Sequence, residues 1–215
     1  MVQTIAIEKV TLHDLEQRFA LKLAEAPDFF SEWQEELPTL TQSERERLQR
    51  VEATYANLER RSLLENTVKL AVVAPLLDLA GFFLPPFYVD TETVDPETTI
   101  EILAEDADMQ FRGRMDVLVL LEQIWVLIIE SKRAEFSLKV GIPQVLSSML
   151  ASPQKPQPVY GLVTNGSSFM FLKLVWEDVP KYARSKEFIL DQDDGLALTL
   201  RIMKRLGAIA IENLR

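Results

Sequence analysis

Residues 113–133 contain two apolar runs that predict a β-hairpin. The first run covers residues 115–121 and the second covers residues 124–130, and only Glu122 and Gln123 separate them. Short, nearly continuous apolar runs rich in Val, Ile and Leu are typical of strands buried in the centre of a sheet. The sequence therefore predicts that this hairpin lies in the core of the protein.

Three charged residues accompany these apolar runs: Asp116, Glu130 and Lys132. Side chains alternate along a strand, so Glu130 and Lys132 are expected on one face and Ser131 on the other. Asp116, on the paired strand, reaches the same face if the register of the hairpin allows it. Because burying a carboxylate is costly unless it is paired or binds a metal, these residues require an explanation.

Two explanations remain open from the residues alone. In the first, Lys132 forms an ordinary ion pair with Glu130 or Asp116 where the strands meet solvent. In the second, the two carboxylates bind a divalent cation, because Mg²⁺ prefers hard oxygen ligands. Lys132 then orients a water molecule or stabilises negative charge that develops on a phosphate group.

The spacing of these residues resembles a known motif. An aspartate, a spacer and then Glu-x-Lys on a strand resemble the core of the PD-(D/E)XK nucleases, with Asp116 and residues 130–132 as the motif. Residues 65–82 resemble the first core helix of the type I restriction enzyme R-subunit N-terminal endonuclease domain. In that family a helix glutamate precedes a Pro-Leu-Leu segment and an Ala-Gly-aromatic end.

The resemblance continues downstream and covers about residues 65–174. Gln144 opens a predicted helix where related nucleases have a glutamine. Residues 160–166 are similar to the next strand and turn of the family. Met115 stands where the family usually has proline before the aspartate, and this difference leaves the aspartate in place.

This resemblance implies a restriction-endonuclease-like fold and a nuclease activity that depends on Mg²⁺ or Mn²⁺. It implies that Asp116 and Glu130 bind the metal and that Lys132 positions or activates the attacking water. Glu65 would orient the metal or its water, and Gln144 would hold a water or the lysine in place. The implied substrate is DNA, in a restriction or DNA-processing system whose other subunits help to bind the DNA. The residues alone also allow a simpler interpretation of Glu65 and Gln144 as polar residues on helix surfaces.

Composition excludes several other classes of function. The chain has no cysteine and one histidine, His13. It therefore has no disulfide, thiolate zinc site or cysteine nucleophile, and a Ser-His-Asp triad or multi-histidine metal site is nearly excluded. No apolar run reaches the ~18 residues that a membrane helix needs, and residues 1–30 lack the pattern of a signal peptide. We therefore expect a cytoplasmic protein with no membrane partner.

The formal net charge of −10 argues against tight non-specific DNA binding by the chain alone. Basic residues nevertheless cluster in sequence around the predicted site: Arg60, Arg61, Arg112, Arg114, Lys132, Arg133 and Lys139. The acidity favours an alternative function, a catalytically inactive nuclease-fold module that serves as a binding or assembly subunit. A catalytic site should bind Mg²⁺ or Mn²⁺, whereas such a module need not.

The predicted elements follow the order helix, strand, hairpin, helix, strand, strand, helix. This order predicts an α/β protein with a mixed central sheet flanked by helices. Residues 1–60 are expected to form an N-terminal helical extension, and residues 61–215 the nuclease-like core with a closing helix. Cutting both strands of DNA with one site per chain requires a dimer or two successive events, so a homodimer is one expectation.

Local signals predict several boundaries. Helices are expected over residues 12–26, 44–58, 138–150 and 196–214, and Thr41 or Ser43 is expected to cap the second of them. A further helix is expected over residues 62–79. Pro75 predicts a kink or break in it near Ala74, and Gly81 predicts its end. Residues 82–95 are expected to form a loop. The dipeptide Asn165-Gly166 predicts a hairpin turn.

Overall fold

The structure is a computed structural model that describes residues 3–91, 100–103 and 109–214, with side chains for 6–91 and 113–214. The strands are β1 (Gln3–Ala6), β2 (Lys22–Leu23), β3 (Phe87–Thr91), β4 (Ile100–Leu103), β5 (Met109–Gly113), β6 (Val117–Leu121), β7 (Ile124–Ser131), β8 (Val159–Thr164), β9 (Ser168–Trp176), β10 (Pro180–Arg184) and β11 (Phe188–Ile189). The α-helices are α1 (Leu12–Phe19), α2 (Gln42–Leu58), α3 (Glu65–Val68), α4 (Ala74–Leu79), α5 (Ile142–Leu150) and α6 (Gly195–Glu212). A π-helical turn, Lys69–Val73, joins α3 to α4.

The main sheet has eight strands in the order β2-β10-β9-β8-β7-β6-β3, with β11 paired to β9. Strands β6 and β7 form the predicted antiparallel hairpin, and β7 lies parallel to β8. A parallel pair needs a crossover connection, which here includes α5. The expectation of an α/β protein with a mixed sheet flanked by helices is therefore confirmed. Strands β1, β5 and β4 form a separate small sheet.

Each face of the main sheet is covered by its own set of helices. Neighbouring residues of β7 point to opposite sides: Ile128 packs in a core with residues of α1 and α5, whereas Ile129 packs in a core with residues of α2, α4 and α6. This alternation is the expected geometry of a strand buried on both faces. It places Glu130 and Lys132 on the face that α5 covers.

Several local predictions are confirmed. Helix α2 begins after Thr41, whose hydroxyl accepts the Glu44 N–H while the Glu44 carboxylate accepts the Thr41 N–H. The predicted break at Ala74 is a π-helical turn, in which the Ala74 N–H bonds to the Lys69 carbonyl. Gly81 ends α4 in the left-handed region (φ +83°), a conformation that glycine adopts without strain.

Three local predictions are wrong in their boundaries. Helix α1 ends at Phe19 and not at residue 26, because Ala20 adopts a left-handed conformation and β2 then pairs with β10. The predicted loop 82–95 contains β3, which is antiparallel to β6. The predicted helix 138–150 divides at Gly141 into a 3₁₀ turn and α5.

The N-terminal residues contribute to the main fold. Strand β2 extends the main sheet, and Leu48, Val51 and Tyr55 of α2 are buried in the same core as residues of α6. The domain division at residue 60 stays a prediction. None of the helices in the described part of the chain combines the length and apolar character needed to span a bilayer.

Candidate functional site

The register of the β6–β7 hairpin brings Asp116 opposite Glu130. Val117 pairs with Ile129 and Leu118 with Ile128, so the next residues outward are Asp116 and Glu130. Residues that face each other across antiparallel strands have Cβ atoms about 4.5–5.5 Å apart. A β-bulge between Val119 and Leu120 sets this register, and Asp116 therefore reaches the face that Glu130 and Lys132 share.

Asp116 uses both carboxylate oxygens to connect neighbouring elements. Its Oδ2 accepts the Ser131 N–H of β7 at 2.7 Å. Its Oδ1 accepts the Lys69 ammonium at 2.8 Å, and the two side chains are only 12% and 18% exposed. Lys69 was not among the predicted site residues. The available signal was its position four residues after Glu65, since residues at this spacing lie on one face of a helix.

Glu130 and Lys132 form an ion pair at the end of β7. Lys132 Nζ lies 2.7 Å from Glu130 Oε1, and each side chain is 10% exposed. The Lys132 N–H donates to the Thr164 carbonyl at 2.8 Å and so continues the parallel pairing with β8. The prediction that these two side chains share a face is confirmed. We call Asp116, Glu130 and Lys132 the hairpin site.

Negative charge accumulates at the hairpin site. Burial, followed by the charge of Asp116, raises the pKa of Glu130 to about 7, and Glu65 adds to the effect. The Lys132 ammonium opposes the shift but does not cancel it. Glu65, half-buried at the first residue of α3, therefore acts on the same space as the two opposed carboxylates. This excess of negative charge is what a bound cation would relieve.

Helix α5 begins directly against the hairpin site. A Cβ on Gly141 would lie 2.7 Å from Val163 Cγ1, 3.5 Å from Lys132 Cε and 3.6 Å from Glu130 Cγ. Three residues later, Gln144 is 5% exposed, and its Oε1 has no hydrogen-bond partner among the described residues. The interpretation of Gln144 as a surface residue is therefore wrong, while its catalytic role stays a prediction.

The donor set fits a hard divalent cation that completes its shell with other ligands. Asp116 and Glu130 supply two neighbouring carboxylates. Gln144 lies on the helix that begins against them, and its buried Oε1 has no hydrogen-bond partner among the described residues. Mg²⁺ commonly uses one or two protein carboxylates and takes its remaining ligands from water and substrate phosphate. Within the described residues, no three His, Asp or Glu side chains are already gathered as a metal site. Each carboxylate of the hairpin site instead contacts a lysine.

Exposed basic residues lie close in sequence to the site residues. Two hydrogen bonds hold residues 62–63 against the segment after Lys132. Ser62 donates to the Glu135 carboxylate, and the Ala134 N–H donates to the Leu63 carbonyl. Arg61 and Arg133, the neighbours of these contacts in sequence, are both exposed. Arg114 and Lys139 are also exposed, whereas the side chain of Arg112 lies outside the described residues.

No family model matches this chain, and no curated protein matches it either. The resemblance of residues 65–174 to PD-(D/E)XK nucleases therefore stays a prediction, as do the roles of the site residues.

Proposed function

We propose that this protein is a Mg²⁺- or Mn²⁺-dependent phosphodiester hydrolase of the PD-(D/E)XK type that acts on DNA. The observation that carries the proposal is the arrangement of the hairpin site. Asp116 and Glu130 face each other across adjacent strands, and Lys132 lies on the same face as Glu130. The order of hairpin, crossover helix and parallel strand supports a restriction-endonuclease-like fold.

The roles of the residues follow from their positions. Asp116 and Glu130 hold the cation through their carboxylate oxygens. When bound, the cation lowers the pKa of the attacking water and offsets charge on the leaving oxygen. Lys132 directs its ammonium into the site and positions the water or the phosphate. Glu65 adds negative charge that favours the cation, and the buried Gln144 amide orients a water or Lys132.

The charge distribution supports a polyanionic substrate that is bound with help. Arg61, Arg114, Arg133 and Lys139 are exposed, lie close in sequence to the site residues and suit phosphate contacts. The whole chain nevertheless carries a net charge of −10, so additional subunits, or a homodimer, would supply much of the affinity for DNA. This corresponds to a cytoplasmic restriction or DNA-processing assembly.

A second candidate function is a catalytically inactive module of the same fold that serves as a binding or assembly subunit. The specific observation in its favour is that both carboxylates of the hairpin site already have cationic partners, Lys69 and Lys132. Carboxylates that each have a cationic partner do not require a metal to offset their charge, which suits a structural role.

Cleavage of duplex DNA with Mg²⁺, with Mn²⁺ or with EDTA tests the proposal. Asp116→Asn and Lys132→Met should each lower the metal-dependent rate by about 10²-fold or more, since each removes a group that acts on the reacting atoms. Glu32→Gln is the matched control. It alters another mostly buried carboxylate–lysine pair, Glu32 with Lys173, and should retain the rate.

The outcomes separate the two candidate functions. Equal cleavage by the parent and by Asp116→Asn would show that the hairpin site is not the active site. If the parent does not cleave DNA with Mg²⁺ or with Mn²⁺, even when the DNA is in excess over the protein, the inactive module is favoured.

A further inference from the structure

Lys69, the first residue of the π-helical turn between α3 and α4, contacts the hairpin site. Its ammonium lies 2.8 Å from Asp116 Oδ1, and the other oxygen of this carboxylate accepts the Ser131 N–H. Both oxygens that would bind a cation are therefore engaged. Of these two partners, the Ser131 amide is fixed within the sheet, whereas Lys69 is a side chain that can move.

The two lysines at the site are held differently. Lys132 follows β7 directly, its main-chain N–H is bonded to Thr164, and its side chain lies against Gly141 at the start of α5. Lys69 begins the π-helical turn, and the next residue, Leu70, is 75% exposed. Because long lysine side chains extend readily into solvent, Lys69 can withdraw its ammonium by rotation while Lys132 stays in place.

The balance of charge also distinguishes Lys69. When all are ionised, Glu65, Asp116, Glu130, Lys69 and Lys132 together carry one net negative charge. A divalent cation added to all five would leave one net positive charge in a mostly buried site. With Lys69 withdrawn, the same cation brings the remaining four groups to neutrality, which is the less costly state to bury.

We infer that Lys69 is a counter-ion that a divalent cation must displace from Asp116. Lys69 therefore satisfies Asp116 in the absence of the cation and lowers the affinity of the site for it. It is a positioning residue that acts through Asp116. This inference rests on the proposed metal site and adds the group that competes with the metal there.

Titration with Mn²⁺, followed by the electron paramagnetic resonance signal of the free ion, tests the inference without any cleavage assay. An adjacent opposite charge changes the proton affinity of a carboxylate by about 10- to 1000-fold. We therefore expect Lys69→Met to bind Mn²⁺ at least about tenfold more tightly than the parent. Lys69→Arg, which keeps the charge, should bind Mn²⁺ as the parent does.

Two further variants control for folding and for net charge. Lys173→Met removes a lysine from the similarly buried pair with Glu32 and should leave Mn²⁺ affinity unchanged. Lys69→Gln keeps a hydrogen-bond donor for Asp116 and should bind Mn²⁺ more tightly even if Lys69→Met does not fold. Circular dichroism in EDTA establishes which variants are folded.

Each outcome bears on a different statement. If the parent binds Mn²⁺ through Asp116 and the uncharged Lys69 variants bind it no more tightly, the inference is overturned and the metal site stands. If Mn²⁺ binds only after Lys69 is replaced, the inference is supported in its strongest form. If no variant binds Mn²⁺, both the inference and the proposed metal site are overturned.

Discussion

Asp116 lies directly opposite Glu130 at the open end of the β6–β7 hairpin, and each carboxylate contacts its own lysine. Like charges placed opposite each other across two strands are destabilising. The attraction within a buried ion pair often offsets only part of the free energy needed to remove both charges from water. This arrangement therefore reduces stability where apolar residues would increase it, which is a feature that functional sites share.

The raised pKa of Glu130 predicts a pH-dependent stability. Its ordinary value is 4.5 and its value in the folded protein is about 7. Protonated Glu130 therefore makes its full contribution to the stability of the fold below about pH 4.5, and this contribution is lost as the pH rises through about 7. Glu130→Gln, which resembles the protonated form, should gain about 1–3 kcal/mol in free energy of unfolding relative to the parent between about pH 5 and pH 8.

Urea unfolding of both proteins in EDTA at these two pH values measures this change. Glu52, whose pKa is also raised by burial, is present in both proteins, so its contribution cancels in the difference. A difference between parent and variant that is the same at both pH values would contradict the prediction.

The close packing of Gly141 predicts that a single methyl group there is destabilising. A Cβ at this position would lie 2.7 Å from Val163 Cγ1, well inside contact distance. We expect Gly141→Ala to lower the free energy of unfolding by about 1–3 kcal/mol, the usual cost of overpacking. Gly141 is the N-cap of α5, a position where alanine is less favourable than glycine, so helix propensity does not offset this cost.

A double-mutant cycle with Val163→Ala identifies the cause. Val163→Ala removes the methyl group that Gly141→Ala would contact, so the two changes together should cost less than their sum. Additive effects in chemical denaturation would contradict the contact.

Asn165 supports the segment that follows Lys132. Its Nδ2 donates to the Phe136 carbonyl at 2.9 Å, and its Oδ1 accepts the Ser168 N–H at 2.9 Å. Asn165→Ala should cost about 1–3 kcal/mol, because the change removes the side-chain acceptor of the N–H of the buried residue Ser168. Asn165→Asp keeps the acceptor within the turn and loses the donor.

Hydrogen exchange separates the two effects. In Asn165→Asp, the Ser168 amide should stay protected, while amides of residues 134–136 exchange faster than in the parent. Loss of protection at Ser168 in this variant would show that the two bonds do not act separately.

The parts of the fold that sequence predicted are those determined locally. The hairpin at residues 113–133 follows from two adjacent apolar runs, and the cap of α2 follows from Thr41. Strand β3 was missed because its hydrogen-bond partners are in β6, a strand much later in the chain. Likewise, α1 ends early because β2 pairs with β10. Pairing over such distances overrides local propensity.

The candidate site was likewise predictable only where it depends on local sequence. Glu130 and Lys132 share a face through strand alternation alone. Asp116 joins them only because a β-bulge between Val119 and Leu120 shifts the register by one residue, and the sequence did not predict this bulge. The position of Lys69 four residues after Glu65 is visible in the sequence, but its contact with Asp116 is not, because that contact depends on how the helix before Pro75 packs beside the hairpin. The burial of Gln144 likewise depends on the packing of α5 against the sheet.

A thermal melt with EDTA or Mn²⁺, for the parent, for Asp116→Asn and for Lys69→Met, tests metal binding at the hairpin site most directly. A ligand that binds only the folded protein stabilises it by RT ln(1 + [L]/Kd), about 2.7 kcal/mol when the free ligand is 100 times Kd. We predict that Mn²⁺ raises the melting temperature of the parent and leaves Asp116→Asn unchanged. An equal rise in the parent and in Asp116→Asn, or no rise in either the parent or Lys69→Met, would contradict a cation site at Asp116 and Glu130.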